Sequence, residues 1–301
     1  MRVIAIASDG LANEHLCLKV AERHELIAVF HPVSPAKSLS RSLNTFRRWR
    51  RSRGTFYVAL HKLGRGSGPF GWNLAQRLHE AERAFFADVH DAFVEQIGPF
   101  AKHVDDVNSP AVVDEIRQLE PDAVICSGGP IYRAPLIRAA KIMLNYHTGI
   151  SPIYNGTHTN VWAYINGHPQ FCGGTLMLMN EAVDGGDILA HHFCAVGPGD
   201  DPADIYCRAI KKAPHIYSAF LSDLEAGGSF VSIPQSKPFF YYRGLDWSLY
   251  QSLMIQRLQN KGSGSKYHAE EDTVYYWRSQ SSETAMRAFE SEILKRLFIH
   301  A

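Results

Sequence analysis

A strand, a helix and a second strand follow one another at the start of the chain, and that order limits the fold more than any other feature. Val3–Ala7 is a short apolar run, Asn13–His24 carries Leu16, Val20 and Ala21 at helical spacing, and Leu26–Phe30 is a second apolar run. Two buried strands joined by one helix require a right-handed crossover and a parallel sheet. The turn between the first strand and the helix, Ser8-Asp9-Gly10-Leu11-Ala12-Asn13, presents backbone N–H groups that suit an anion, or is simply a capped turn.

The alternation continues. Leu74–Ile97 has helical periodicity, and Ala111–Leu119 is a helix opened by Asn108-Ser109-Pro110, a cap followed by an N1 proline. Asp122–Ser127 reads as a central strand running into Gly128-Gly129-Pro130, then a short helix over Ile131–Ala140 and a strand over Ile142–His147. A helix at Thr159–Asn166, strands at Gly174–Met179 and Ile188–Val196, and a long helix at Ala203–Glu225 follow. The expected fold is α/β, a doubly wound, mostly parallel, Rossmann-like sheet with its site at the carboxyl ends of strands. Beyond residue 228 the composition shifts to Phe239-Phe240-Tyr241-Tyr242, a helix near Ser248–Asn260, a strand at Thr273–Arg278 and a helix at Glu283–Phe298. The expected organisation is a domain at 1–228 with an insertion at about 37–72, and a small α+β accessory subdomain at 229–301. The last helix carries Met286, Phe289, Ile293 and Leu297 as an apolar stripe, read as core, with a homodimer seam left open.

Composition removes several classes. With 46% hydrophobic and 20% charged residues the chain is globular, and a net charge of +1 makes no general case for nucleic acid. Five cysteines without a close pair suggest neither a disulfide framework nor a zinc knuckle. The N-terminal apolar run is too short for a signal peptide and no apolar stretch is long enough for a membrane span, so a cytoplasmic protein is expected. His191-His192 are adjacent on a strand and face opposite ways, so no metal is expected there.

The insertion is locally basic. Arg41, Arg47, Arg48, Arg50, Arg51, Arg53, Lys62 and Arg65 occur without an acidic residue, interleaved with Phe46, Trp49, Phe56 and Tyr57. It reads either as a surface for a phosphate-bearing partner or as a solvated helical piece. Gly66-Ser67-Gly68-Pro69-Phe70-Gly71 spells a dinucleotide fingerprint, but a basic run precedes it and a proline interrupts it, so it is read as a loop.

The chemistry concentrates between residues 145 and 189. Asn145 and His147, two apart on a strand, project to one face, and Asp184 in Val183-Asp184-Gly185-Gly186-Asp187 stands on a turn within reach of that imidazole. An amide, an imidazole and a carboxylate suit acyl transfer to an amine: donors for the carbonyl oxygen and an acceptor for the amine proton.

These residues, with Pro152, Gly156 and Asp184-Gly185-Gly186 in that order, resemble the formyltransferases that use 10-formyltetrahydrofolate, over roughly residues 80–225. The resemblance implies Asn145, His147 and Asp184 as catalytic residues, 10-formyltetrahydrofolate as formyl donor and no metal. It implies a pterin held by the loops Gly128-Gly129-Pro130-Ile131 and Asn180-Glu181-Ala182-Val183. Gly10, Asn13, Tyr154, Gly156, Thr157 and His158 are the candidates for binding the amine. The best match is to enzymes acting on a nucleotide-linked amino sugar. Methionyl-tRNA formyltransferase, expected to carry a C-terminal β-barrel, and formyltetrahydrofolate deformylase, expected to carry a regulatory domain, are the alternatives. A non-catalytic relative is disfavoured by the intact triad. The chain departs from the family in His147-Thr148-Gly149-Ile150-Ser151-Pro152, in Asn155 where a basic residue is common, and in Met177 where some members have histidine.

Overall fold

The computed structural model describes residues 1–33, 47, 51, 54–65, 72–182, 184–260 and 267–298. Most of the basic insertion, including Gly66–Gly71, and Val183 lie outside the described residues.

Strand β1 (Arg2–Ala7), helix α1 (Leu11–Ala21) and strand β2 (Glu25–Pro32) form the expected crossover, with β1 and β2 parallel. After α2 (Thr55–Arg65), the expected helix from Leu74 to Ile97 divides into α3 (Leu74–Phe85) and α4 (His90–Gln96). Packing explains the break. Phe86 and Phe93, seven residues apart, would share a face of one helix, yet they enter different cores: Phe86 joins Trp72 and Trp162, and Phe93 joins Leu16 and Val29.

Strand β3 (Ala101–Val104), absent from the sequence reading, joins the sheet edge beside β2. Helix α5 (Pro110–Gln118) starts as expected, with Pro110 at its first turn and Ser109 accepting from the Val112 N–H. Then come β4 (Ala123–Ser127), the single turn α6 (Ala134–Ile137), β5 (Ile142–His147), β6 (Tyr154–Gly156), α7 (Thr159–Ile165), β7 (Gly173–Leu178) and β8 (Ile188–Phe193). Helix α8 (Pro202–Glu225) is capped by Asp201, which accepts from the Ala203 N–H. The chain continues through β9 (Phe240–Tyr242), α9 (Leu249–Asn260), β10 (Asp272–Tyr275) and α10 (Ser282–Phe298).

The main sheet has the order β10-β8-β7-β5-β4-β1-β2-β3. The run from β5 to β3 is parallel, and β7, β8 and β10 extend it antiparallel. This is the mostly parallel α/β sheet expected. Strand β1 shows why helices cover both faces: Val3 and Ala5 pack with Leu16, Val20 and Phe220, while Ile4 and Ile6 pack with Val112, Ile116 and Leu136.

The segment after residue 228 is woven into this frame. β10 pairs with β8, β9 pairs with β6 in a second, two-stranded sheet, and Trp277 lies against Phe220 with ring centroids 5.2 Å apart. Buried Arg296 of α10 pairs with Glu292 and Asp272 and lies over the Phe193 ring. A boundary drawn at 228 therefore crosses strand pairs and shared core. Met286, Phe289 and Ile293 of the α10 stripe pack inward, whereas Leu297 is exposed.

Candidate active site

From β1 the chain runs outward to β2 and β3 on one side, and β4 and β5 lie on the other, so the order reverses between β1 and β4. Such a reversal leaves a crevice beyond the carboxyl ends of the strands. There the Ser8 N–H bonds the Ser127 carbonyl at 3.2 Å, and a cavity of about 650 Å³ opens. Ser8 and Asp9 after β1, Ser127 at the end of β4 and Gly128 just beyond it, and Asn145 and His147 at the end of β5 all line it.

Asn145 and His147 line the cavity, and between them the Tyr146 side chain enters the core and contacts His192 Nδ1 at 3.1 Å. The Asn145 side chain is half-buried and makes no hydrogen bond among the described residues. His147 is buried, with Nε2 3.1 Å from the Tyr154 carbonyl and Nδ1 3.4 Å from Asp184 Oδ1. A carbonyl only accepts, so Nε2 carries a proton. Asp184 reaches the ring from a left-handed backbone position, φ 50°, which aspartate tolerates better than most side chains. Its Oδ2 accepts the Gly156 N–H at 3.0 Å, and its main-chain carbonyl accepts Asn155 Nδ2 at 2.8 Å. Strand β6 thus fixes the carboxylate against the imidazole.

Two loops form one flank. Gly128, Gly129, Pro130 and Ile131 line the cavity, with φ of 66° and 106° at the glycines, and Tyr132 donates to the Gly128 carbonyl at 2.7 Å. Asn180 and Glu181 line the cavity as well. Asn180 braces its own loop, accepting the Ala182 N–H and donating to the Gly185 carbonyl, both at 2.9 Å. Ile131 is an exposed apolar side chain at this flank, and Met179 lines it too. A flat heteroaromatic ring between apolar side chains and loop backbone fits these residues, and the volume is in the range that binds cofactors.

The candidates for amine binding divide. Asn13, Gly156 and Thr157 line the cavity, although the Asn13 amide already donates to the Ser8 carbonyl at 2.7 Å. Gly10, Tyr154 and His158 do not line it. Gly10 is covered by the Glu82 carboxylate, which lies 2.9 Å from the position of an added Cβ. Tyr154 is fully buried, its hydroxyl 2.7 Å from His168 Nδ1 and 3.0 Å from Asn166 Nδ2. His158 is the left-handed residue that precedes α7, φ 57°.

The cavity also takes residues the sequence did not single out: Glu82, Tyr206, Arg243 and Gly244, beside Tyr241 and Tyr242. Burial keeps the Tyr206 phenol protonated. Tyr242 stacks on Trp162 with centroids 4.0 Å apart, which sets that wall. The aromatic run at 239–242 was visible in the sequence, but its pairing with β6 was not. His191 and His192 are each held by protein partners, Ser151 and Tyr276 for one and Tyr146 for the other. Among the described residues no group of His, Cys, Asp and Glu is arranged for a metal ion.

Residues 74–221 match the family described as formyl transferase, and the match covers Asn145, His147 and Asp184 in one stretch. These residues are a formyl transferase domain. Over 123 residues the chain is 32% identical to a methionyl-tRNA formyltransferase of Geobacter sulfurreducens, covering 40% of this chain and 38% of that protein. It therefore spans well under half the length of the curated relatives it matches. The fold of the formyl transferase domain and its surroundings is similar to a sugar N-formyltransferase from Shewanella sp FDAARGOS_354 (TM-score 0.50, 16% identity, 81% of this chain and 76% of that one). It is also similar to glycinamide ribonucleotide transformylase 1 from Symbiobacterium toebii (TM-score 0.50, 17% identity, 78% and 94%).

Proposed function

We propose that the chain transfers a formyl group from 10-formyltetrahydrofolate to the primary amine of a small substrate, a nucleotide-linked amino sugar. The carrying observation is the convergence of Asn145, His147 and Asp184 on one cavity, with Nδ1 and Oδ1 3.4 Å apart. Residues 128–131 and 180–182 would hold the folate, which would supply an activated formyl carbon for the amine to attack.

The Asn145 amide is uncommitted and lies on the cavity wall, so it is the donor for negative charge growing on the carbonyl oxygen. His147 keeps its proton on Nε2 through the Tyr154 carbonyl. On the other side Nδ1 faces Asp184 Oδ1 at 3.4 Å. That placement makes the pair the acceptor for the proton the amine loses, relayed by water, and the pair can return it to the folate nitrogen, which would leave as its bond to the formyl carbon breaks. The Gly156 N–H on Oδ2 holds the carboxylate in line throughout.

A small acceptor is supported by the part of the cavity wall that the tail supplies, Tyr241, Tyr242, Arg243 and Gly244. Aromatic side chains and Arg243 at the cavity suit a nucleotide-linked sugar. The test is mass spectrometry of products after a panel of nucleotide-linked amino sugars is offered with 10-formyltetrahydrofolate. A gain of one formyl group on an amine is expected. Donor consumption at the same rate without any amine would instead indicate hydrolysis.

A further inference from the structure

The cavity has a second part to its lining, apart from the two loops given to the folate. It is built from Ala12 and Asn13 at the start of α1, Glu82 on α3, Tyr206 on α8 and Tyr241–Arg243. The inference below rests on the functional reading above, which leaves this part to the amine substrate.

Glu82 holds a particular place there. Its Oε1 accepts the Ala12 N–H at 3.0 Å and lies 2.9 Å from where a Cβ on residue 10 would sit. The first N–H groups of a helix ordinarily attract an anion. In this chain the protein's own carboxylate takes that position, and a phosphate brought to the same turn would meet like charge. The second oxygen, Oε2, has no hydrogen bond among the described residues. The described lining carries four carboxylates, Asp9, Glu82, Glu181 and Asp184, against one guanidinium, Arg243.

We propose that Glu82 is an acceptor-recognition residue: it closes the start of α1 to phosphate and offers Oε2 to a hydroxyl or ammonium donor of the amine substrate. An ionised carboxylate only accepts hydrogen bonds, so it selects donors such as sugar hydroxyls and amines. The substrate is then a hydroxylated amine whose phosphate, where it has one, lies away from the Gly10 turn, toward Arg243.

Two variants separate the effects. Glu82→Gln keeps an oxygen for the Ala12 N–H and removes the charge, whereas Glu82→Ala removes both. Inorganic phosphate is titrated to about 10 mM into the full-length protein while the Gly10 and Ala12 amide resonances are followed, about the range of weak sites. No saturable shift is expected in the wild type, and a saturable one in Glu82→Ala. Saturable binding at wild-type Gly10, or none in Glu82→Ala, would overturn the proposal. With the amine found by the panel, Glu82→Gln should raise its KM about tenfold or more, the worth of a hydrogen bond to a charged group. The KM for 10-formyltetrahydrofolate should hold. An unchanged amine KM in a working enzyme sinks the role of Glu82 and spares the formyl-transfer reading. A panel with no formylated product sinks that reading, and the phosphate titration then decides the closed helix start independently.

Discussion

One carboxylate serves two partners at the centre of the cavity: Asp184 Oδ1 lies 3.4 Å from His147 Nδ1 while Oδ2 accepts the Gly156 N–H at 3.0 Å. Asp184→Asn separates charge from geometry. The amide keeps an oxygen for Gly156 and tolerates the left-handed backbone, but it cannot take up a proton at neutral pH. Turnover should fall about 10²–10⁴-fold, the range for acid–base groups, with 10-formyltetrahydrofolate binding retained. Steady-state rates beside fluorescence titration of the folate check this, and normal turnover would remove Asp184 from the mechanism.

Asn145→Ala makes the complementary case. Its side chain is half-buried and has no hydrogen bond among the described residues, so truncation leaves no partner stranded. Stability should move by no more than about 1 kcal/mol, while kcat falls about 10²–10³-fold, as when one donor to an oxyanion is lost. Chemical denaturation and kcat on the same preparation test both halves. A large loss of stability with kcat intact would make Asn145 a structural residue.

The sequence revealed most of the sheet because its strands are short apolar runs between turn residues, and β5 falls where the pattern put it, Ile142–His147. The Asn-x-His spacing and the Asp-Gly-Gly turn likewise located the central trio. What stayed hidden depends on contacts between distant segments. β3, Ala-Lys-His-Val, has no apolar alternation and exists because it pairs with β2. β6 and β9 are three residues each, and their pairing across more than eighty positions leaves no local signal. Glu82 looks like any charge on a helix; only its approach to Ala12 gives it a site. Gly10 lies in a turn whose backbone N–H groups suit an anion by sequence, and only the fold shows the Glu82 carboxylate lying against it.

Acid should destabilise the fold through its buried and half-buried imidazoles. Burial lowers the pKa of His191 from 6.5 to about 3, and burial, aided by Lys19 and Lys211, lowers His15 to about 4. Burial also lowers His192, against the opposing pull of Glu271. In the unfolded chain each titrates near its ordinary value, so between that value and the folded one the unfolded state binds more protons. Their contribution is fully present above about pH 6.5 and is lost as pH falls toward the folded values. The denaturant midpoint should therefore drop between about pH 7.5 and 5. A midpoint that holds steady over that window would mean these rings are reached by water in the folded state.

Gly156 ties the tail to the chemistry, and its substitution should damage both. Its φ is +100°, and an added Cβ would lie 1.9 Å from the Tyr242 carbonyl oxygen. That oxygen already accepts the Thr157 N–H at 2.8 Å, so it cannot simply turn aside. Gly156→Ala combines a strained backbone, about 1–3 kcal/mol, with overpacking of about 1–3 kcal/mol. The clash pushes β9 off β6, moves Tyr242 in the cavity wall and withdraws the N–H that fixes Asp184. Gly199→Ala is the control: its φ is +81°, but nothing lies within 4 Å of the new Cβ, so only backbone strain is added. Thermal unfolding should rank wild type, Gly199→Ala and Gly156→Ala in falling order, with turnover lost only in the last. Equal stability of the two variants would mean that β6 and β9 yield without cost, and that the tail does not hold the carboxylate.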